Sequence, residues 1–162
     1  DRLDDDEPLI HFDEQLRILH ALTDALEACH REEVLHRNLT PDSVYLADDG
    51  TVKLGDFDFA RVPGVGRTIS VTGQSLVSTK YTAPEMRDPH GRIDQRSDLY
   101  ALGAIWYDMA LRRPPDEPIM LAYIDDAPLS KEAKDVLRML LAPQSSKRPQ
   151  HVHEVREWLE LV

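Results

Sequence analysis

The sequence predicts a mainly α-helical domain with one small β-hairpin and one long loop, on three observations. Apolar residues recur at helical spacing in several separate stretches. An Asp-Gly step, Asp49-Gly50, lies between the short runs Val44–Leu46 and Thr51–Leu54, the pattern of a hairpin. From Pro63 to Ser78 the chain is rich in Gly, Ser, Thr and Val without periodicity, which reads as a loop. Long loops in compact domains usually carry function.

The stretch Asp1 to His11 is acidic, then mixed, and reads as loop or a short helix. Asp13 is the candidate N-cap of the first helix. Leu16, Leu19, Leu22, Leu26 and Cys29 then repeat at helical spacing through about Arg31. Val34 and Leu35 are too few to make a helix. After the hairpin and the long loop, Ser97 is positioned to cap a helix over about 98–111. Leu99, Leu102, Ile105, Trp106, Met109 and Leu111 populate it, with Ala and Gly between them. A helix apolar nearly all round belongs in the middle of a core.

Three prolines between Arg112 and Pro118 end that helix. Ser130 is expected to cap the next, over about 130–141, whose Ala133, Val136, Leu137, Leu140 and Leu141 form one stripe. Pro143 ends it. Pro149 suits the first turn of a last helix over about 149–161, with Val152, Val155, Leu159 and Val162 inside.

The length of 162 residues fits one domain with a real core. Hydrophobic residues at 41% and charged residues at 30% argue against global disorder. The net charge of −11 excludes a surface built for nucleic acid or anionic membrane, because phosphates would be repelled. One cysteine, Cys29, allows no internal disulfide, so a cytoplasmic setting is expected. No apolar run reaches the length of a membrane span, and Asp1 to Pro8 does not read as a signal peptide.

Five motifs now fall in order. His36-Arg37-Asn38-Leu39-Thr40-Pro41-Asp42-Ser43-Val44-Tyr45-Leu46 resembles the catalytic loop of protein kinases, His-Arg-Asp-Leu-Lys-Pro-x-Asn followed by apolar residues. Asp56-Phe57-Asp58 is similar to the magnesium-binding Asp-Phe-Gly. Ser78 to Glu85 is similar to the segment ending in Ala-Pro-Glu, here Ala83-Pro84-Glu85. Ser97 to Gly103 resembles the start of that family's buried central helix, and Lys147-Arg148-Pro149 its arginine motif before the last helix. Five motifs in the right order across the whole chain make the resemblance specific. It implies the helical C-terminal lobe of a serine/threonine kinase domain spanning 1–162, with the hairpin at the active-site cleft. The catalytic loop would be 36–46 and the activation segment 56–85. No glycine-rich loop and no strand lysine occurs in the sequence, so an N-terminal lobe is expected either in a longer natural chain or lost from this one. The segment between Pro115 and Pro128 is short for the family, and the helix usually found there is expected to be reduced.

The same resemblance assigns roles, and most of the polar ones fall on changed residues. The carboxylate that accepts the substrate hydroxyl proton is replaced by Asn38, a neutral amide. Thr40 stands where a lysine would contact the transferred phosphate. Ser43 stands where an asparagine would hold magnesium, and its hydroxyl is a short, weak ligand that needs a bridging water. Asp56 alone keeps its type as a metal ligand. Asp58, in place of glycine, is either a second cation ligand or a loop acid that disfavours nucleotide. Tyr45 lies under the expected adenine ring, where the family places an apolar residue. It would stack on a base, fill the pocket, or pack in the hairpin.

The resemblance implies architecture at other positions. Asp98 would cap backbone amides of the catalytic loop, Glu85 and Arg148 would form an internal ion pair, and His36 and Phe57 would join a hydrophobic column. Arg37 would pair with a phosphate on the activation segment at Thr68, Ser70, Thr72, Ser75, Ser78, Thr79 or Tyr81, or else bond backbone carbonyls. Other candidates are weaker. His151 and His153, two apart on a helix, point to different sides. His30 and His36 have no metal-site partners around them, Cys29 is expected to be a buried inert thiol, and Asp4 to Glu7 a solvated turn.

Three functional readings follow. The first is a pseudokinase-like regulatory module that binds another protein, an N-lobe or another domain of a longer chain. The second is part of a longer ATP-dependent kinase with an atypical site. The third is an ATP sensor without phosphotransfer. ATP and Mg2+ are expected only with a longer parent chain, none for this chain alone.

Overall fold

The computed structural model describes residues 10–64, 79–116 and 120–162. α3, Gln95–Leu111, is the axis of the fold. Twelve of its seventeen residues are buried, so it presents almost no face to water. Trp106, Tyr100 and Tyr107 are among the largest fully buried side chains. α1, Phe12–Arg31, packs on α3 and on α6, Val152–Leu159. α5, Lys131–Leu140, packs on α3 from another side. Each of these outer helices buries one apolar stripe, as the spacing predicts.

Gly103 is what lets α3 and α5 approach. A Cβ there would stand 2.6 Å from the Leu140 Cβ, which is not the free end of a flexible side chain. Gly103→Ala gains roughly 0.5–1 kcal/mol of helix propensity. Overpacking costs about 1–3 kcal/mol and outweighs it. A lower Tm in thermal unfolding is expected; a higher one would show that α5 yields freely.

The hairpin is β1, Val44–Leu46, paired antiparallel with β2, Val52–Leu54, in the register Val44 to Leu54, Tyr45 to Lys53 and Leu46 to Val52. It is the only sheet among the described residues. Two short α-helices complete the set, α2 at Pro84–Arg87 and α4 at Met120–Tyr123. α4 runs into a 3-10 turn at Ile124–Asp126, so the segment before Pro128 carries only short helical turns among its described residues.

Three helix starts differ from the sequence expectation. α1 begins after His11, which makes no side-chain cap, and Asp13 lies inside the first turn beside Glu14. There it favours the positive end of the helix dipole rather than capping it. α3 begins three residues before the expected 98, because Asp94 accepts the Arg96 N–H at 3.1 Å. Ser97 instead donates its hydroxyl to Glu85 Oε1 at 2.8 Å. α6 begins at Val152, not at 149, and ends at Leu159. Arg148 precedes a proline and is extended, and the Glu154 carboxylate caps the His151 N–H at 2.9 Å. His151 therefore lies off the helix, and its ring stacks on His153 at 5.4 Å rather than pointing away. Ser130 caps α5, accepting the Ala133 N–H at 3.0 Å, and the helix spans Lys131–Leu140 within the expected 130–141.

No helix of the described residues is long and apolar enough to cross a membrane.

Candidate functional site

The loop from His36 to Ser43 is held from below by one carboxylate. Asp98, 2% exposed in the first turn of α3, accepts the N–H groups of His36 (3.0 Å, Oδ2) and Arg37 (2.9 Å, Oδ1). Its Oδ2 also takes His30 Nε2 at 2.9 Å. His30, at the end of α1, is a participant that sequence reasoning dismissed. Nothing local points to it, since its partner lies 68 residues away.

Arg37 adopts a left-handed backbone, φ 67°, which an L-residue holds only when its surroundings fix it. Burial, and then the like charge of Arg61, pushes the Arg37 guanidinium below its ordinary value. His36 is fully buried. Its Nε2–H donates to the Gly55 carbonyl at 2.8 Å, and its Nδ1 accepts the Asn38 N–H at 3.4 Å. The His36 ring also meets Phe57 at 4.6 Å, tilted by 57°. Phe57 itself is 36% exposed.

Ser43 is engaged within its own loop. Its buried hydroxyl donates to the Thr40 carbonyl at 2.7 Å and accepts the Thr40 N–H at 3.1 Å. The pair of bonds closes the turn before β1. Asn38 and Thr40 are half-buried in the same loop. Across the cleft, Asp56 is exposed and left-handed, φ 58°. Both of its carboxylate oxygens lie within bonding distance of the Tyr45 hydroxyl, at 3.1 and 3.0 Å. Asp58 is exposed in the 3-10 turn Phe57–Phe59. Among the described residues no three His, Cys, Asp or Glu side chains gather as a metal site. Asp56 is the side chain here that would offer a carboxylate to a magnesium-bound triphosphate, and it is engaged by Tyr45, while the Ser43 hydroxyl is engaged in its own loop.

The far side of the site is tied down by polar bonds. Glu85 in α2 meets Arg148 through two parallel bonds of 2.7 and 2.8 Å. Burial raises the Glu85 pKa, but the bonds and charge of Arg148, with a backbone N–H and the Ser97 hydroxyl, together outweigh it and hold the carboxyl below its ordinary value. The Tyr81 hydroxyl donates to Asp108 in α3 at 2.6 Å. Burial and that bond push its phenol well up, so it stays a neutral donor. Thr79 turns to Thr82, whose hydroxyl accepts the Thr79 N–H at 2.8 Å. Thr68, Ser70, Thr72, Ser75 and Ser78 lie outside the described residues. Cys29 is half-buried rather than buried, yet burial, then the charge of Asp98, raises its thiol pKa and disfavours the thiolate.

The protein kinase domain model matches residues 2–159. The chain belongs to the protein kinase family. The kinase chain is 36% identical over 112 residues to a probable serine/threonine-protein kinase of Streptomyces coelicolor, covering 67% of the chain and 16% of that protein. It is 34% identical over 140 residues to the DNA damage-responsive serine/threonine-protein kinase RqkA of Deinococcus radiodurans, covering 78% and 21%. A third match, to the serine/threonine-protein kinase pkn2 of Myxococcus xanthus, is 30% identical over 165 residues and covers 89% and 20%. The kinase chain thus spans about a fifth or less of these curated relatives. Its mainly helical build, with a lone two-stranded sheet among the described residues, is that of part of a kinase domain.

Proposed function

We propose that this kinase-family chain is a pseudokinase-type regulatory module, which binds a protein partner or another domain of a longer chain and transfers no phosphate. Asn38 carries the reading. The position where the family resemblance expects a carboxylate base holds a neutral amide, which orients a hydroxyl but takes no proton. Thr40 removes the cation expected beside the transferred phosphate, and Ser43 bonds its own loop. The supports around them are intact: Asp98 under the loop, and the Glu85–Arg148 pair behind it. A frame retained without its chemical groups favours shape as the working property.

The test is phosphate incorporation by the full-length natural protein with labelled ATP, Mg2+ and a serine/threonine peptide mixture, against an Asp56→Ala control. Equal, background incorporation is expected in both. Incorporation that disappears in Asp56→Ala would sink the proposal in favour of an atypical serine/threonine kinase, the reading that the retained Asp56 favours. Nucleotide binding without turnover would favour a sensor.

A further inference from the structure

We infer that Tyr45 is a built-in occupant of the nucleotide cleft, latched onto the one side chain that keeps the character of a metal ligand. The inference deepens the proposal above and rests on the kinase resemblance, which implies a nucleotide cleft at the hairpin beside Asp56.

Two observations carry it independently. The first is the bond. Tyr45 on β1 places its hydroxyl 3.1 and 3.0 Å from the two oxygens of Asp56, so one phenolic proton is shared by both. A cation chelated by both Asp56 oxygens would approach between them, where the phenolic proton lies. The phenol and a metal therefore compete for one carboxylate.

The second is the bed under the ring. Gly55 lies against Tyr45, and a Cβ at that position would stand 2.7 Å from the ring carbon Cε2. A side chain at 55 would lift the ring. With hydrogen there, the ring lies flat enough over the backbone to reach the next residue. Tyr45 is nevertheless 50% exposed, and Leu46 beside it is 56% exposed. This is not a core tyrosine packed for stability. It is an aromatic plate on the floor of the cleft, tethered at its polar tip.

The exclusion of metal-bound nucleotide is then active as well as passive. Missing ligands weaken the site, and Tyr45 covers what remains. Removing the hydroxyl frees the carboxylate; removing the ring also frees the floor.

The experiment is calorimetric titration of manganese–ATP into the full-length natural protein. Four forms are compared: wild type, Tyr45→Phe, Tyr45→Leu and Gly55→Ala. Each is repeated with Asp56→Asn. Both tyrosine variants and Gly55→Ala should bind about fivefold or more tightly than wild type, since a hydrogen bond to a charged group no longer has to be broken. The gain should vanish with Asp56→Asn. Equal affinity in all forms, including none in any, overturns the latch. So does a gain that survives Asp56→Asn. Phosphate transfer by the wild type in the incorporation assay is a separate outcome: it ends the pseudokinase proposal and leaves the latch to the binding data.

Discussion

Arg148→Ala will cost the domain about 3–5 kcal/mol, the scale for removing one partner of a buried charge pair. The guanidinium has five N–H donors, and all five are used. Nη1 donates to Glu85 Oε1 at 2.7 Å and to the Arg96 carbonyl at 3.1 Å. Nη2 donates to Glu85 Oε2 at 2.8 Å and the Pro143 carbonyl at 3.1 Å, and Nε to the Ala142 carbonyl at 2.7 Å. The Arg148 side chain has no exposed surface, and the group also lies 4.8 Å from the Tyr100 ring centre. Alanine would leave a mostly buried carboxylate with the Ser97 hydroxyl as its remaining side-chain donor, and would take one donor from each of three carbonyls. Small domains hold only about 5–15 kcal/mol in total, so the variant will be near the edge of folding. Lysine restores a charge but not the planar fork, and will recover only part of the loss.

Urea unfolding measures the loss, and a fall under about 1 kcal/mol would show that the pair contributes little more than a surface bridge. The double variant Arg148→Met with Glu85→Leu should lose less than Arg148→Ala, because it leaves no unpaired buried charge. Acid supplies a second readout. The Glu85 pKa is lowered in the fold, so its contribution is complete above the ordinary carboxylate range and is lost as pH falls through the lower folded value. Glu85→Gln should flatten that part of the acid profile.

Much of this architecture was legible because its signals are local. The stripes of α1, α5 and α6 and the all-round apolarity of α3 repeat within a few residues, and an Asp-Gly turn declares its hairpin. The misread positions are those where a tertiary partner decided between two chemically suitable residues. Asp94 and Ser97 both suit an N-cap, but Ser97 is drawn to Glu85, twelve residues upstream. His151 and His153 diverge only if both lie on a helix, and Glu154 starts that helix after His151. Ser43 looked like a poor metal ligand by type, and its bond to Thr40 shows where its hydroxyl goes. The reach of Tyr45 to Asp56 depends on hairpin register and on a glycine, which no single residue announces. The pairing of Tyr81 with Asp108 spans 27 residues and was missed for the same reason.

Asp98→Ala is the second large effect, and it separates the frame from the chemistry. The substitution removes the acceptor of three donors at once: the His36 and Arg37 N–H groups and His30 Nε2. Each buried donor left unpaired costs about 1–3 kcal/mol, and a sum of roughly 3–5 kcal/mol is expected after partial relaxation. Arg37 acts in the opposite sense, because its left-handed backbone is disfavoured by ~1–2 kcal/mol and relaxing it recovers part of the loss once its N–H bond to Asp98 is gone. Without Asp98 the loop should leave that conformation. Asp98→Asn keeps one oxygen, for the Arg37 N–H or for His36 and His30, but turns an amide NH2 toward the donor or donors on the other side, and should fall between wild type and alanine. Amide hydrogen exchange at His36 and Arg37 distinguishes a local role from a global one. Exchange there should rise in Asp98→Ala beyond the rise that its lower overall stability imposes on the core of α3. If the two rise together, Asp98 stabilises the whole domain without specially holding the loop. The frame invoked for the pseudokinase reading would then rest on Glu85 and Arg148 alone.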